Sequence, residues 1–231
     1  MPGHGRTDMS LEKLFKAAVR ELRERNILFA VAGGLAADLY RTEPRLTMDV
    51  DLVILTEGTG AKIATSVLKT LGLHACVARA ADLAGGPLFA IRRRDPAPCI
   101  VVGRAAGNSS PEGVDILLPA LPWAKDAVGR AQANQVDFGF GPVPAMTLED
   151  VILSKLYCLM ASTIRAKDLD DLQSVFAAGH EMDLPYLAGQ MQRFIIVIPK
   201  AAKAFLPKQI LQFSRDVTSR QMSLRYGPAP P

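Results

Sequence analysis

The sequence predicts an α+β protein, with strands and helices interspersed up to about Pro144 and helices alone after it. In the first part, short apolar runs of strand length alternate with amphipathic helical patterns. After Phe138-Gly139-Phe140-Gly141-Pro142, apolar residues recur only at helical spacing. We therefore divide the chain into an α/β core over residues 1–144 and a C-terminal helical region with a basic tail over residues 145–231.

The first part begins with a helix, a strand and a glycine turn. Apolar residues recur at helical spacing from Ser10 to Arg25, and Ser10 suits the N-cap position. An apolar strand over residues 27–32 ends at Gly33-Gly34, and a second helix is expected over residues 35–40. Further strands are expected at 50–55, 88–93, 99–102 and 114–118, with a helix at 61–71.

The second part is predicted to be helical. Helices are expected over residues 148–162, 166–178 and 185–214. Pro199 interrupts the last of these, because proline cannot donate the backbone hydrogen bond that a helix interior needs.

Composition narrows the class of protein. Apolar residues make up 49% of the 231 residues, enough for a substantial core. No apolar run approaches the roughly 20 residues of a membrane helix. The polar start, Met1 to Ser10, shows no signal-peptide pattern, and the three cysteines lack metal-binding spacing. We therefore expect a cytoplasmic protein with reduced thiols and no membrane partner.

Charge is distributed unevenly along the chain. From Gln190 onward there are seven basic residues and one acidic residue, in a chain whose net charge is +4. Such a tail suits a polyanion such as RNA. The alternative is a solvated region without a partner.

Three acidic residues on two short strands carry the main chemical signal. Asp49 and Asp51 are separated by one residue in a strand-like run, so their side chains point to the same face. Asp115 lies in a second apolar run, and the three carboxylates converge if the two strands are neighbours. Carboxylates at such close range favour a bound cation, and hard oxygen ligands suit Mg²⁺. The pattern therefore predicts a metal-dependent phosphate site.

A glycine pair precedes this strand. Gly33-Gly34 lies between a predicted strand and a predicted helix, where a backbone without Cβ atoms allows a ligand to approach closely. An ordinary tight turn is the alternative.

Two charged residues are predicted to face inward from the helical part. Lys155 falls on the apolar stripe formed by Leu148, Ile152 and Leu159, where it needs an anion, such as a triphosphate, or must extend to solvent. Asp168 lies beside the apolar face of the next helix; its alternative role is to stabilise the helix dipole.

Together these residues resemble the nucleotidyltransferase superfamily with the polymerase-β-like fold. The superfamily pattern is a Gly-Gly turn, an Asp-x-Asp strand and a third acidic residue on a later strand, here Gly33-Gly34, Asp49-Val50-Asp51 and Asp115. The resemblance implies a mixed β-sheet flanked by helices.

A narrower resemblance is to the abortive-infection nucleotidyltransferase toxins and their uncharacterised relatives. It is carried by Arg45-x-Thr47-x-Asp49-x-Asp51, by Lys155 and by Arg165-x-Lys167-Asp168-x-x-Asp171. It implies transfer of a nucleoside monophosphate from an NTP to RNA, protein or a small molecule, with two Mg²⁺ ions and an antitoxin partner.

The resemblance also implies roles for individual residues. Asp49, Asp51 and Asp115 are expected to be catalytic and to bind the metal. The nucleotide-binding residues are expected to be Gly33, Gly34, Arg45, Thr47, Lys155 and Asp168.

One position departs from the family pattern. Related families often place a serine after the glycine pair to touch a nucleotide phosphate, and this chain has Leu35 there. This leaves open a second hypothesis, in which the fold serves as a nucleotide-binding or partner-binding module without transferase activity.

Overall fold

The computed structural model describes residues 10–79, 98–105, 112–159 and 165–213. Strands and helices are interspersed in its first part. In chain order these elements are α1 (Leu11–Glu24), β1 (Leu28–Val31), α2 (Gly33–Asp38), β2 (Asp49–Leu55), α3 (Gly60–Thr70), β3 (Leu73–Arg79), β4 (Pro98–Ala105), β5 (Gly113–Leu117) and α4 (Ala124–Ala131).

The chain continues with a short hairpin and then with helices. These elements are β6 (Gln135–Asp137), β7 (Pro142–Pro144), α5 (Leu148–Leu159), α6 (Ala166–Ala177), α7 (Leu184–Arg193) and a 3₁₀ turn (Lys200–Ala202). Pro199 directly precedes the 3₁₀ turn, where the sequence predicted a break.

Among the described residues, five strands form one mixed sheet in the order β1-β2-β5-β4-β3. Strand β2 runs antiparallel to β1 and parallel to β5, and β4 runs antiparallel to both β5 and β3. Helices α1, α3 and α4 pack against this sheet. The predicted α+β class, a mixed sheet flanked by helices, is confirmed.

Strand β2 lies inside the sheet because both of its edges are paired. Its apolar residues Val50, Leu52 and Ile54 are fully buried on the face opposite Asp49 and Asp51. The same alternation that predicted the strand therefore fixes it to the core and turns its carboxylates to the other side.

The helices after residue 145 share a hydrophobic cluster with the sheet. Ile152, Leu156 and Leu172 belong to the same buried cluster as Leu52 and Ile116. Met146 also bonds to β1, where its N–H donates to the carbonyl of Val31 at 2.9 Å. The division of the chain at residue 144 stays a prediction.

Some predicted features lie outside the described residues. They are the strand at 88–93 and the basic tail residues Arg215, Arg220 and Arg225. Within the described ranges, none of the helices is both long enough and apolar enough to cross a membrane.

We expect Leu52→Ala to lower the free energy of unfolding by about 2–5 kcal/mol, because it empties a fully buried position between two strands. Urea denaturation measures this change. Leu46→Ala is the control: Leu46 is 83% exposed, and its truncation should stay within about 0.5 kcal/mol. Equal losses in the two variants would contradict the described position of β2.

Candidate active site

The register between β2 and β5 brings three carboxylates together. The strands are parallel, and Asp51 lies directly opposite Asp115. Asp49 shares their face because side chains two residues apart on a strand point the same way. One oxygen from each of the three carboxylates lies within 4.8 Å of the other two. The convergence predicted from the sequence is therefore present.

Crowding changes the acidity of this cluster. Burial, followed by the charges of Asp49 and Asp115, raises the pKa of Asp51 from its ordinary 3.8 to about 7, although Lys155 and Lys167 act in the opposite direction. Burial also raises the pKa of Asp115. A cation placed among these oxygens would favour their ionised forms.

The glycine pair fits closely against the site. Gly33 has a φ of 60°, and a Cβ atom there would collide with the carboxylate of Asp51. A Cβ atom at Gly34 would lie 2.8 Å from Thr47 Oγ1 and 3.0 Å from Arg45 Nη2. Gly33 therefore requires glycine for its backbone angle and its contact with Asp51, whereas a side chain at Gly34 would displace Thr47 or Arg45 in the following loop.

The loop before β2 is held by carboxylates. Thr47 Oγ1 donates to Asp38 Oδ2 at 3.3 Å. Arg45 donates to both oxygens of Asp171, from Nε at 2.7 Å and from Nη2 at 3.2 Å. Arg45 therefore meets a protein carboxylate in this structure, and its role towards phosphate stays a prediction.

Lys155 is buried, as its helical position predicted. Its side chain is 7% exposed, and Nζ lies 2.9 Å from Asp168 Oδ1 and 2.7 Å from Asp171 Oδ2. Burial alone would lower the pKa of Lys155, but the two carboxylates outweigh it and raise the pKa. The protein thus supplies an anion for Lys155 itself, where the sequence had suggested a triphosphate or, as the alternative, extension of the side chain to solvent.

Asp171 is the centre of a charge network that the sequence analysis did not assign to the site. Its side chain is fully buried and meets three cations, Arg41 at 2.8 Å, Arg45 at 2.7 Å and Lys155 at 2.7 Å. Burial would raise the pKa of Asp171, but Arg45 and Lys155 lower it. Its position one helical turn after Asp168 was the available signal.

Helical spacing places Asp170 roughly opposite the apolar face of α6, and its side chain is 61% exposed and pairs with Arg41 at 2.9 Å. Its neighbour Asp171 points inward from the same helix. Helical periodicity therefore separated the exposed residue from the buried ones.

Arg104 on β4 also reaches the carboxylate cluster. It donates to both oxygens of Asp115 and lies 3.8 Å from Asp49 Oδ2. The sequence analysis missed Arg104, because its position over the site depends on the pairing of β4 with β5.

Solved structures similar to this chain include nucleotidyltransferase-like proteins, the class that its motifs resemble. An antigenic nucleotidyltransferase-like protein from Paracoccidioides brasiliensis is 15% identical, with 95% of this chain and 89% of that chain covered, at a TM-score of 0.47. ANT(2'')-Ia in complex with adenylyl-2''-tobramycin is 18% identical, with coverage of 78% and 97% and a TM-score of 0.48.

A third similar structure is JHP933 from Helicobacter pylori, 16% identical, with coverage of 93% and 94% and a TM-score of 0.40. No protein-family model and no curated protein matches the chain. Similarity at this level assigns no activity to the chain, whose chemistry follows from its own side chains.

Asp51 should make the metal-free protein less stable as pH rises from about 4 to about 7. Its folded pKa of about 7 lies above its ordinary 3.8, so the folded state holds the proton more tightly. The resulting stabilisation is full below the lower value and is lost as pH rises through the higher one.

Urea denaturation across this pH range, with a chelator present, measures the effect. Asp51→Asn cannot ionise, so we expect its stability to fall less steeply than that of the wild type. The same slope in both proteins would show that another group is responsible.

Proposed function

We propose that this protein is a Mg²⁺-dependent nucleotidyltransferase that transfers a nucleoside monophosphate from an NTP to an acceptor hydroxyl. The observation that carries the proposal is the cluster of Asp49, Asp51 and Asp115, with oxygens within 4.8 Å of one another. The glycine turn lies against this cluster, and Lys155 acts on Asp51 from the helical side.

The three residues fit a magnesium site by their donor chemistry. They offer hard carboxylate oxygens from two adjacent strands, and the charges of Asp49 and Asp115 contribute to the raised pKa of Asp51. Magnesium ions bound here, two in our proposal, would stabilise the charge on the attacking and leaving oxygens of the transfer.

Each acidic residue has a distinct proposed role. Asp49 and Asp51 would hold the metal ion beside the triphosphate. Asp115 completes the metal site and takes the proton of the acceptor hydroxyl as its oxygen attacks the α-phosphorus and pyrophosphate leaves. The N–H groups of the first turn of α2 lack intrahelical partners, and this turn begins at Gly33 beside Asp51.

The basic residues are proposed to act on the phosphates. Lys155 is oriented by Asp168 and lies near enough to Asp51 to lower its pKa. Arg45 and Thr47 shape the loop that enters β2 beside Gly34. In this proposal the phosphates would contact a lysine that is already part of a network of charges. They would not contact an isolated ammonium group.

The proposed acceptor is RNA. The support is a group of exposed basic residues near the end of the described chain, Arg193, Lys200, Lys203 and Lys208. One of these four residues, Arg193, also pairs with Asp126 at 2.5 Å. The toxin role and the antitoxin partner rest on the motif resemblance.

The second candidate function is a nucleotide-binding or partner-binding module without transfer. Leu35 favours it, because this side chain packs against the hydrophobic core and offers no hydroxyl at the glycine turn. The two candidates differ in whether label moves from NTP to an acceptor.

Incubation with α-labelled NTPs, Mg²⁺ and cell extract should label an acceptor, and Asp49→Asn should abolish this transfer, because it removes a charged metal ligand. The control is Asp170→Asn, which changes an exposed carboxylate away from the cluster and should keep most of the activity. NTP binding without transfer by the wild type would favour the module.

Lys155→Met should lower the free energy of unfolding by about 3–5 kcal/mol, because it leaves buried Asp168 and Asp171 without one of their cations. Asp168→Asn in the same chain removes one of those charges and should restore part of the stability. Urea denaturation tests both variants, with the exposed Lys16→Met as the control.

The phosphate role is tested in the folded double variant. We expect NTP to bind more weakly to Lys155→Met/Asp168→Asn than to Asp168→Asn alone. Equal NTP affinity in these two proteins would show that Lys155 has a structural role only.

A further inference from the structure

Arg104 places a guanidinium group among the carboxylates of the candidate metal site. Nη1 donates to Asp115 Oδ1, and Nη2 lies 3.2 Å from Asp115 Oδ2 and 3.8 Å from Asp49 Oδ2. The guanidinium therefore contacts two of the three residues that would hold the metal.

The sheet is built to allow this contact. The register of β4 with β5 pairs Arg104 with Gly113, two residues before Asp115. A Cβ atom at Gly113 would lie 2.6 Å from Arg104 Nη1 and 2.8 Å from its Cδ. The absence of a side chain at Gly113 thus leaves room for Arg104 to lie across β5 and reach Asp115.

The contact is strong but not enclosed. Both oxygens of Asp115 accept from the guanidinium, and paired charged hydrogen bonds of this kind are among the stronger ones in proteins. Nη1 also donates to the carbonyl of Gly103 at 2.9 Å. The Arg104 side chain is 33% exposed, so it remains accessible to solvent.

We propose that Arg104 is a positioning residue that holds Asp115 in the metal-free protein and competes with a divalent cation for it. The guanidinium and the metal ion are attracted to the same carboxylates, whereas their like charges repel each other. Binding of the ion therefore weakens the contact between Arg104 and Asp115, and that contact lowers the affinity for the ion by the same free energy.

This inference rests on the metal site of the proposed function. It adds that the metal-free site is already partly compensated by a residue of the chain itself. Occupancy by the ion is therefore set by the balance between Arg104 and the metal, as well as by the number of carboxylates.

Binding of Mn²⁺ to the full chain at a fixed pH, followed by electron paramagnetic resonance of the free ion, tests the competition. Arg104→Met keeps an unbranched apolar stem and removes the charge. We expect it to bind Mn²⁺ about tenfold more tightly than the wild type, within the usual range of coupling between two binding events.

Two further variants make the result specific. Arg104→Lys keeps a cation but loses the planar pair of donors, so its affinity for Mn²⁺ should lie between those of Arg104→Met and the wild type. Arg20→Met removes one positive charge from an exposed position on α1 and should bind Mn²⁺ as the wild type does.

Thermal melting separates competition from a structural role. Loss of Arg104 should lower the melting temperature without metal, and Mn²⁺ should raise it by more in Arg104→Met than in the wild type. If Arg104 only joined β4 to β5, its loss would lower the melting temperature without increasing the affinity for Mn²⁺.

Unchanged or weaker Mn²⁺ binding in folded Arg104→Met would overturn the proposal. If Arg104→Met does not fold, Arg104→Lys tests the proposal in its place. An affinity of Arg104→Lys for Mn²⁺ no higher than that of the wild type would then overturn the proposal. Asp49→Asn separates this failure from that of the proposed function. Equal Mn²⁺ binding by Asp49→Asn and the wild type would remove the metal site and both proposals with it.

Discussion

The parallel pairing of β2 with β5 is the constraint on which the site depends. It sets Asp51 opposite Asp115, and strand alternation adds Asp49 to the same face. Three carboxylates at this range oppose one another's ionisation. The guanidinium of Arg104 compensates the charge of Asp115, and the pKa of Asp51 is raised to about 7. The chain therefore partly compensates the charge of the cluster by its own residues.

A second centre of charge fixes the approach to β2. Arg41 and Arg45 from the loop before β2, and Lys155 from α5, all meet the buried carboxylate of Asp171 on α6. Removing one partner of such a buried network is strongly destabilising, because it leaves a buried charge without compensation. Thr47 lies in the same loop, two residues before the first carboxylate of β2.

Local periodicity was sufficient to predict which way a side chain points when this depends only on its own strand or helix. The one-residue spacing of Asp49 and Asp51 follows the strand period, and Lys155 falls on the buried stripe of its helix. Arg104 escaped prediction because β5 lies between β2 and β4, an order that no local pattern contains. Asp171 was not assigned to the site because two of its three partners, Arg41 and Arg45, lie in a loop far away in the sequence. Pairing between remote segments, and not secondary structure, limited the prediction of the site.

The two charge centres together support the proposal that the site takes a metal-bound polyphosphate. The sheet offers carboxylates, and the helical side offers ammonium groups, since both Lys155 and Lys167 lower the pKa of Asp51. In the proposed function, a nucleoside triphosphate with its cation carries charges of both signs, so each part would meet the opposite charge at this site. Neither charge centre alone would match both the cation and the phosphates. The loop that carries Arg45 joins them, because it is bound to Asp171 and leads directly into the strand that begins with Asp49.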